Sequence, residues 1–242
     1  MKTLLKNKTI SNSVVTLIIR MIGVATLFGL SFLMTNNLSA QEVGHYEFAR
    51  VALLTIATLG LIGTDQSILF FAGKFDANHQ KGNLKHTYHK MLLIVCISSV
   101  SIVGLYALIP NHFLQQFGIK SDLLHVLTQC IYILPFYVVT ILNTETLRAY
   151  NKVILSEWFR NIIKYVPVLI GVVCIMMGFF HEKSLLNWYL YGFIGLAFVT
   201  SLILIISGYQ INTTSGVVKT KEIITTSYPM AISSFYTFLL MT

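Results

Sequence analysis

Apolar residues run along this chain in blocks of about twenty, and polar residues gather in the short gaps between them. The blocks read Val14 to Met34, Phe48 to Ala72, Met91 to Ile109, Leu123 to Asn143, Ile162 to Phe180 and Leu185 to Ser207. Each is near the ~20 residues that carry a helix across ~30 Å of hydrocarbon. None alternates strictly at every second residue, so the backbone groups find their partners within helices rather than in a barrel. The pattern predicts an all-α fold, a polytopic membrane helix bundle with six complete transmembrane helices. A further apolar run opens at Tyr228 and reaches Thr242. Fifteen helical residues rise only about 22 Å, so this run is expected to open a second lobe of a longer transporter. The expected organisation is a six-helix lobe over residues 1–207, a cytoplasmic linker rich in Thr over 208–227, and the start of a seventh helix over 228–242.

Composition agrees, with 55% hydrophobic and 11% charged residues against about 25% charged in a soluble domain. The distribution of charge adds orientation. Thirteen Lys and Arg residues fall before the first block, in alternate gaps thereafter or, for Lys164, just inside the start of the fifth block, and only Lys120 and Lys183 fall in the other gaps. Short basic loops stay in the cytoplasm, which predicts a multi-pass protein of a bacterial inner membrane with its amino terminus inside. The net charge of +8 is thus mainly a topology signal, with attraction to anionic membrane lipids as a secondary effect. No basic stretch interleaved with aromatics suggests nucleic acid as a partner. Leu38-Ser39-Ala40 after an apolar run resembles a signal-peptide cleavage site, but that run is too long and Arg20 interrupts it. Cys96, Cys130 and Cys174 sit in three different blocks as small apolar residues, so no disulfide framework is expected.

Charges inside the blocks are the candidate chemistry, because each costs roughly 2.5–3.5 kcal/mol at the centre of a spanning helix unless it meets a partner or a cavity. Arg20 lies about 9 Å into the first block and Asp65 about 10 Å from the same face in the second. They are expected to form a structural ion pair, or to leave Arg20 snorkelling to the inner headgroups, or to line an inward-facing polar cavity. Glu47 and Arg50 near the outer end of the second block, and Glu145 and Arg148 at the inner end of the fourth, share the three-residue spacing that neutralises a pair on one helix face. Arg50 and Arg148 are also placed to meet an anionic substrate. His125, Gln129 and Asn143 make the fourth block the most polar and predict that it faces the interior. Ala25 and Gly29 allow close helix approach, and Pro135 and Pro167 are expected to interrupt the fourth and fifth blocks. His79, His86 and His89 read as a solvated basic loop rather than a metal site. No phosphate loop, H-E-x-x-H or G-x-S-x-G motif occurs, so no catalytic residue, cofactor or metal is expected, and transport would draw on a gradient.

Several stretches resemble a known family. Ala40-Gln41-Glu42-Val43-Gly44-His45-Tyr46-Glu47-Phe48-Ala49, followed by Leu59-Gly60-Leu61-Ile62-Gly63-Thr64-Asp65-Gln66-Ser67, is similar to the second-helix region of polysaccharide-export flippases. Leu147-Arg148-Ala149-Tyr150-Asn151-Lys152 resembles their "R-A-x-G-R" after the fourth helix, and Ser227-Tyr228-Pro229-Met230-Ala231-Ile232-Ser233-Ser234 their "G-x-P-x-x-x-S" opening of the seventh. In order and topology the chain resembles the amino-terminal lobe of a Wzx-type O-antigen or capsule repeat-unit flippase of the MOP superfamily, whose members have about twelve or more helices in two lobes. The resemblance implies that undecaprenyl-diphosphate-linked oligosaccharide moves from the cytoplasmic to the periplasmic leaflet during polysaccharide biosynthesis. A polysaccharide polymerase and a chain-length regulator would then be partners. It also implies that Arg20, and with it Arg50 and Arg148, meet the diphosphate, while Asp65 organises Arg20 or couples protons. Competing expectations are another MOP exporter, cation-coupled and richer in buried carboxylates, a membrane-embedded polysaccharide polymerase or acyltransferase, and a scaffold with no transport role.

Overall fold

The computed structural model describes residues 2–77, 83–110, 121–208 and 218–241, with the backbone alone described at 2–12, 207–208, 235 and 237–241. His79, Lys81, Lys120 and linker positions 209–217 lie outside the described residues, as do the side chains of Lys2, Lys6 and Lys8. The helices are α1 (Lys2–Asn37), α2 (Ala40–Leu61), α3 (Thr64–Ala77), α4 (Asn83–Ala107), α5 (Ser121–Ala149), α6 (Val153–Asn161), α7 (Val166–Met176), α8 (Leu185–Gly208) and α9 (Thr220–Met241). Short 3-10 turns, Ile163–Tyr165 and Glu182–Ser184, precede α7 and α8. No strand forms among the described residues. Five stretches are long and apolar enough to cross a membrane, and α2 with α3 make a sixth if a 49° bend is allowed within one span. Large apolar side chains cover the outside, among them Phe28 and Phe32 on α1, Ile97 on α4 and Phe198 on α8, as a surface facing lipid requires.

The most polar block occupies the centre. Helix α5 packs against α2, α3, α4, α6 and α8, and it runs without a break through Pro135. Asn143, wholly buried on α5, accepts a 2.7 Å hydrogen bond from the Tyr88 hydroxyl of α4 and donates to Thr200 (3.0 Å) and Ser201 (2.8 Å) of α8. In an apolar surround, such a satisfied network ties three helices at one register.

Three boundaries and one helix contact differ from those expected. The second block is broken: Ile62 (φ 49°) and Gly63 (φ 73°) both take left-handed backbone, so α2 ends and α3 restarts at an angle. At Gly63 a Cβ would lie 2.3 Å from the Ser227 carbonyl oxygen of α9, so glycine is required by contact as well as by conformation. The fifth span begins at Val153 rather than Ile162, because α6 is helical and leads through the 3-10 turn into α7, where Pro167 occupies the first turn. The polar stretch before Tyr228 is helical from Thr220, since α9 docks it on α3. There Lys74 pairs with Glu222 at 2.7 Å, the Ser67 and Ser227 hydroxyls meet at 2.7 Å, and Ile223 is wholly buried. The close approach expected at Ala25 and Gly29 occurs instead at Gly23, where α6 comes so near that a Cβ would sit 2.6 Å from the Cβ of Asn161.

Gly63→Ala is expected to destabilise the protein by about 2 kcal/mol or more, from left-handed strain and the displaced α9 contact. Thermal unfolding in detergent measures it, and a melting temperature equal to that of the parent would remove the role given to this contact.

Candidate functional site

The charged side chains of the spanning segments converge where α1, α3, α5 and α6 meet. Arg20 does not reach Asp65. Its guanidinium donates to both carboxylate oxygens of Glu157 on α6, Nε at 3.0 Å and Nη2 at 2.8 Å, because α1 packs mainly on α6 and Gly23 lets the two backbones close up. Glu157 is 1% exposed and Arg20 about half exposed, so the partnership neutralises a buried carboxylate from the flank of the bundle. Asn161 completes the arrangement, donating its amide at 2.8 Å to the second Glu157 oxygen.

Asp65 sits in the first turn of α3, directly after the break, where the Gln66 N–H donates to its carboxylate. It lines a cavity of about 240 Å³ with Thr58, Tyr137, Glu145, Arg160, Lys164 and apolar neighbours from α2, α5, α6 and α8. Across it Arg160 donates to Glu145 at 3.0 Å, and Arg148 stands 3.9 Å from the other Glu145 oxygen. Glu145 is therefore shared by two arginines, and the expected Glu145–Arg148 pair is the longer of its two contacts. Lys164 makes no ion pair with a described carboxylate. Its ammonium lies 4.8 Å from the ring centroid of Tyr165, with Arg160 and Arg50 nearby.

Arg50 pairs with Glu47 as the spacing implied, at 2.6 Å, but not near the outer end of a span. Helix α2 begins at Ala40, so Arg50 is ten residues in, about 15 Å along the helix axis. There Tyr46, Tyr137, Tyr165 and Tyr189 surround it. Arg148 lies at the opposite, basic end of α5, beside a second cavity of about 530 Å³ that Asp76, Tyr150 and Asn151 also line. Burial pushes the Tyr150 hydroxyl up to about 12, which keeps it a neutral donor at that mouth.

Of the four residues singled out in the sequence, Asp65 lines the charged cavity, Arg148 touches it through Glu145, Arg50 stands beside its Lys164, and Arg20 belongs to the adjoining ion pair. Two further carboxylates, Glu145 and Glu157, are buried. Glu157 and Arg160 fall in the gap before the fifth block and Lys164 just inside it, yet their spacing of three and four residues is that of one helix face, a signal that was present in the chain.

Arg20→Ala leaves Glu157 charged and buried. The expected loss is about 2–3 kcal/mol, below the ~3–5 of a wholly buried pair because Arg20 is half exposed. Adding Glu157→Gln to that variant is expected to restore most of the loss. A double-mutant cycle by thermal unfolding checks both values, and simple additivity would dissolve the pair as a stabilising unit. No family model, curated protein or solved structure matches the chain.

Proposed function

We propose that this chain is a lobe of an inner-membrane flippase for a lipid-linked oligosaccharide carried on undecaprenyl diphosphate. In this reading the substrate moves from the cytoplasmic to the periplasmic leaflet, and the amino terminus is cytoplasmic. The observation that carries the proposal is Lys164. It lines a cavity within spanning helices, two arginines flank it, and it has no described carboxylate as an ion-pair partner. Arg160, Arg50 and Arg20 are each held by a glutamate, so Lys164 is the cation with charge to offer an incoming diphosphate. The anion-binding role expected of Arg20 is thereby reassigned to Lys164, with Arg160 as its neighbour. The polyprenyl tail of such a substrate can stay in lipid along the apolar outer faces. Family resemblance in the motifs around Asp65, Arg148 and Pro229 supports the same class.

A second reading has a specific observation in its favour. Asp65 lines the same cavity and, among the described residues, makes hydrogen bonds to helix-terminal N–H groups but no ion pair, which suits a cation-coupled exporter of the same superfamily. The two readings separate by charge.

For the flippase, Lys164→Gln in the full-length protein is expected to lower surface polysaccharide at least about tenfold in a flippase-null strain at normal membrane protein level, and Lys164→Arg to restore most of it. Full complementation by Lys164→Gln would sink the reading. Loss of transport in Asp65→Asn alone, with Lys164→Gln active, would favour the exporter.

A further inference from the structure

Between α7 and α8, on a flank of the bundle away from the charged cavity, runs an apolar groove of about 650 Å³, inside the roughly 300–1,000 Å³ of sites that hold small organic molecules. Its walls are Pro167 and Ile170 of α7, Phe180 of the connection, and Trp188, Tyr191 and Leu196 of α8. Close packing through glycine shapes it. A Cβ at Gly192 would lie 2.5 Å from the Cβ of Pro167, and one at Gly171 would lie 2.6 Å from Cγ of Trp188, so the two backbones close up. Around that seam Ile170, Phe180 and Tyr191 stand exposed, and Phe180 meets Trp188 edge to face at 5.8 Å between ring centroids. Gly195 lines the groove too, but a Cβ there would meet nothing within 4 Å. Packing does not require glycine at 195, and glycine is a weak helix former, yet its missing side chain keeps the groove open.

From Asn187 to Leu196 helix α8 rises about 14 Å, which is the depth of one leaflet in a hydrocarbon core of ~30 Å. At the Asn187 end the groove adjoins a polar recess of about 740 Å³, with which it shares Ser184 and Asn187. The recess carries Glu42, Glu182 and Lys183. Glu182 accepts the Ser39 N–H at 3.0 Å, which ties the α7–α8 connection to the start of α2. Lys183 makes no ion pair with a described carboxylate. An apolar slot one leaflet deep, ending in a mouth that holds both signs of charge, has the form of a membrane phospholipid. Two carboxylates beside one ammonium disfavour a purely anionic headgroup. Phosphoethanolamine carries both charges and an ammonium that donates three hydrogen bonds, whereas phosphocholine has the same charges and no N–H.

We infer that the α7–α8 groove and its mouth bind one phosphatidylethanolamine molecule from the leaflet at that end of the bundle. One acyl chain lies in the groove, the phosphate meets Lys183, Ser184 and Asn187, and the ammonium meets Glu182 and Glu42. The site requires only that α7 and α8 lie in a bilayer, so it stands apart from the flippase reading. An undecaprenyl chain is longer than the groove, which separates this ligand from a transported lipid.

Trp188 in the groove wall supplies the test. The full chain is placed in vesicles of equal parts phosphatidylethanolamine, phosphatidylcholine and phosphatidylglycerol, with one class at a time carrying brominated acyl chains. Quenching of Trp188 fluorescence is read as the difference between the parent and Trp188→Phe. Brominated phosphatidylethanolamine is expected to quench about threefold more than either of the others, because charge-assisted hydrogen bonds at the mouth set the preference. Glu182→Gln, whose side-chain oxygen can still hold the Ser39 N–H, is expected to bring the three classes level. Gly195→Leu is expected to at least halve the quenching by phosphatidylethanolamine while the melting temperature holds, since the new side chain fills the groove without touching its neighbours. Equal quenching by the three classes in the parent would reduce the groove to ordinary lipid contact and overturn the site. Stronger quenching by phosphatidylglycerol would overturn the headgroup assignment, and full quenching in Gly195→Leu would remove the groove as the seat of the chain.

Discussion

Arg20 and Glu157 hold each other through two hydrogen bonds across the seam of α1 and α6, and the charged interior depends on that contact. A carboxylate buried to 1% exposure in a membrane-spanning segment stays charged only beside a cation, so α1 must lie against α6 at this height. Gly23 makes the approach possible, and Asn161 fixes the carboxylate from its own helix. Once α6 is held there, Arg160 and Lys164, three and seven residues further along, turn toward α5 and α3. Arg160 bonds Glu145 there, and Lys164 lines the same cavity as Asp65. The ion pair thus acts as a frame for the charged cavity.

The interior is divided by chemistry. Toward the basic loops lies the cavity of Asp65, Glu145, Arg160 and Lys164, and toward the other end lies a lining of amides, histidines and carboxylates. Between them stand the tyrosines around Arg50, with Tyr46 and Tyr189 packed edge to face at 5.1 Å between ring centroids. The break at Ile62–Gly63 connects this interior to α9. The residues after it form two faces, with Asp65 lining the cavity and Ser67 bonded to Ser227 of α9. Any change in the angle between α2 and α3 therefore moves a cavity carboxylate and the α9 seam together.

Much of this was legible in the chain, and the exceptions share a cause. Hydropathy marks α1, α4 and α8 well because their apolar side chains face lipid on most sides, and α5 stood out through Asn143 and Gln129. Helix α6 was misplaced because averaging over a window treats Glu157, Arg160 and Lys164 as loop residues, whereas periodicity puts them on one interior face. The break in the second span leaves no trace in hydropathy, since Leu59-Gly60-Leu61-Ile62-Gly63 is apolar throughout. Its position depends on Ser227 and Ala231, more than 160 residues away.

The sequence by itself determined an all-helical chain with several membrane-length apolar segments, charge concentrated at one end, and an interior-facing α5. Those properties follow from side-chain transfer energies and local periodicity, which each residue carries with it. Only the tertiary structure decided that Arg20 meets Glu157 rather than Asp65, that Glu145 is shared by two arginines, and that Lys164 lines the cavity without an ion pair to a described carboxylate. Partnership between helices is set by which faces pack and at what height. Hydropathy is blind to that, because every lipid-crossing segment looks alike until a buried charge has to find its counterpart.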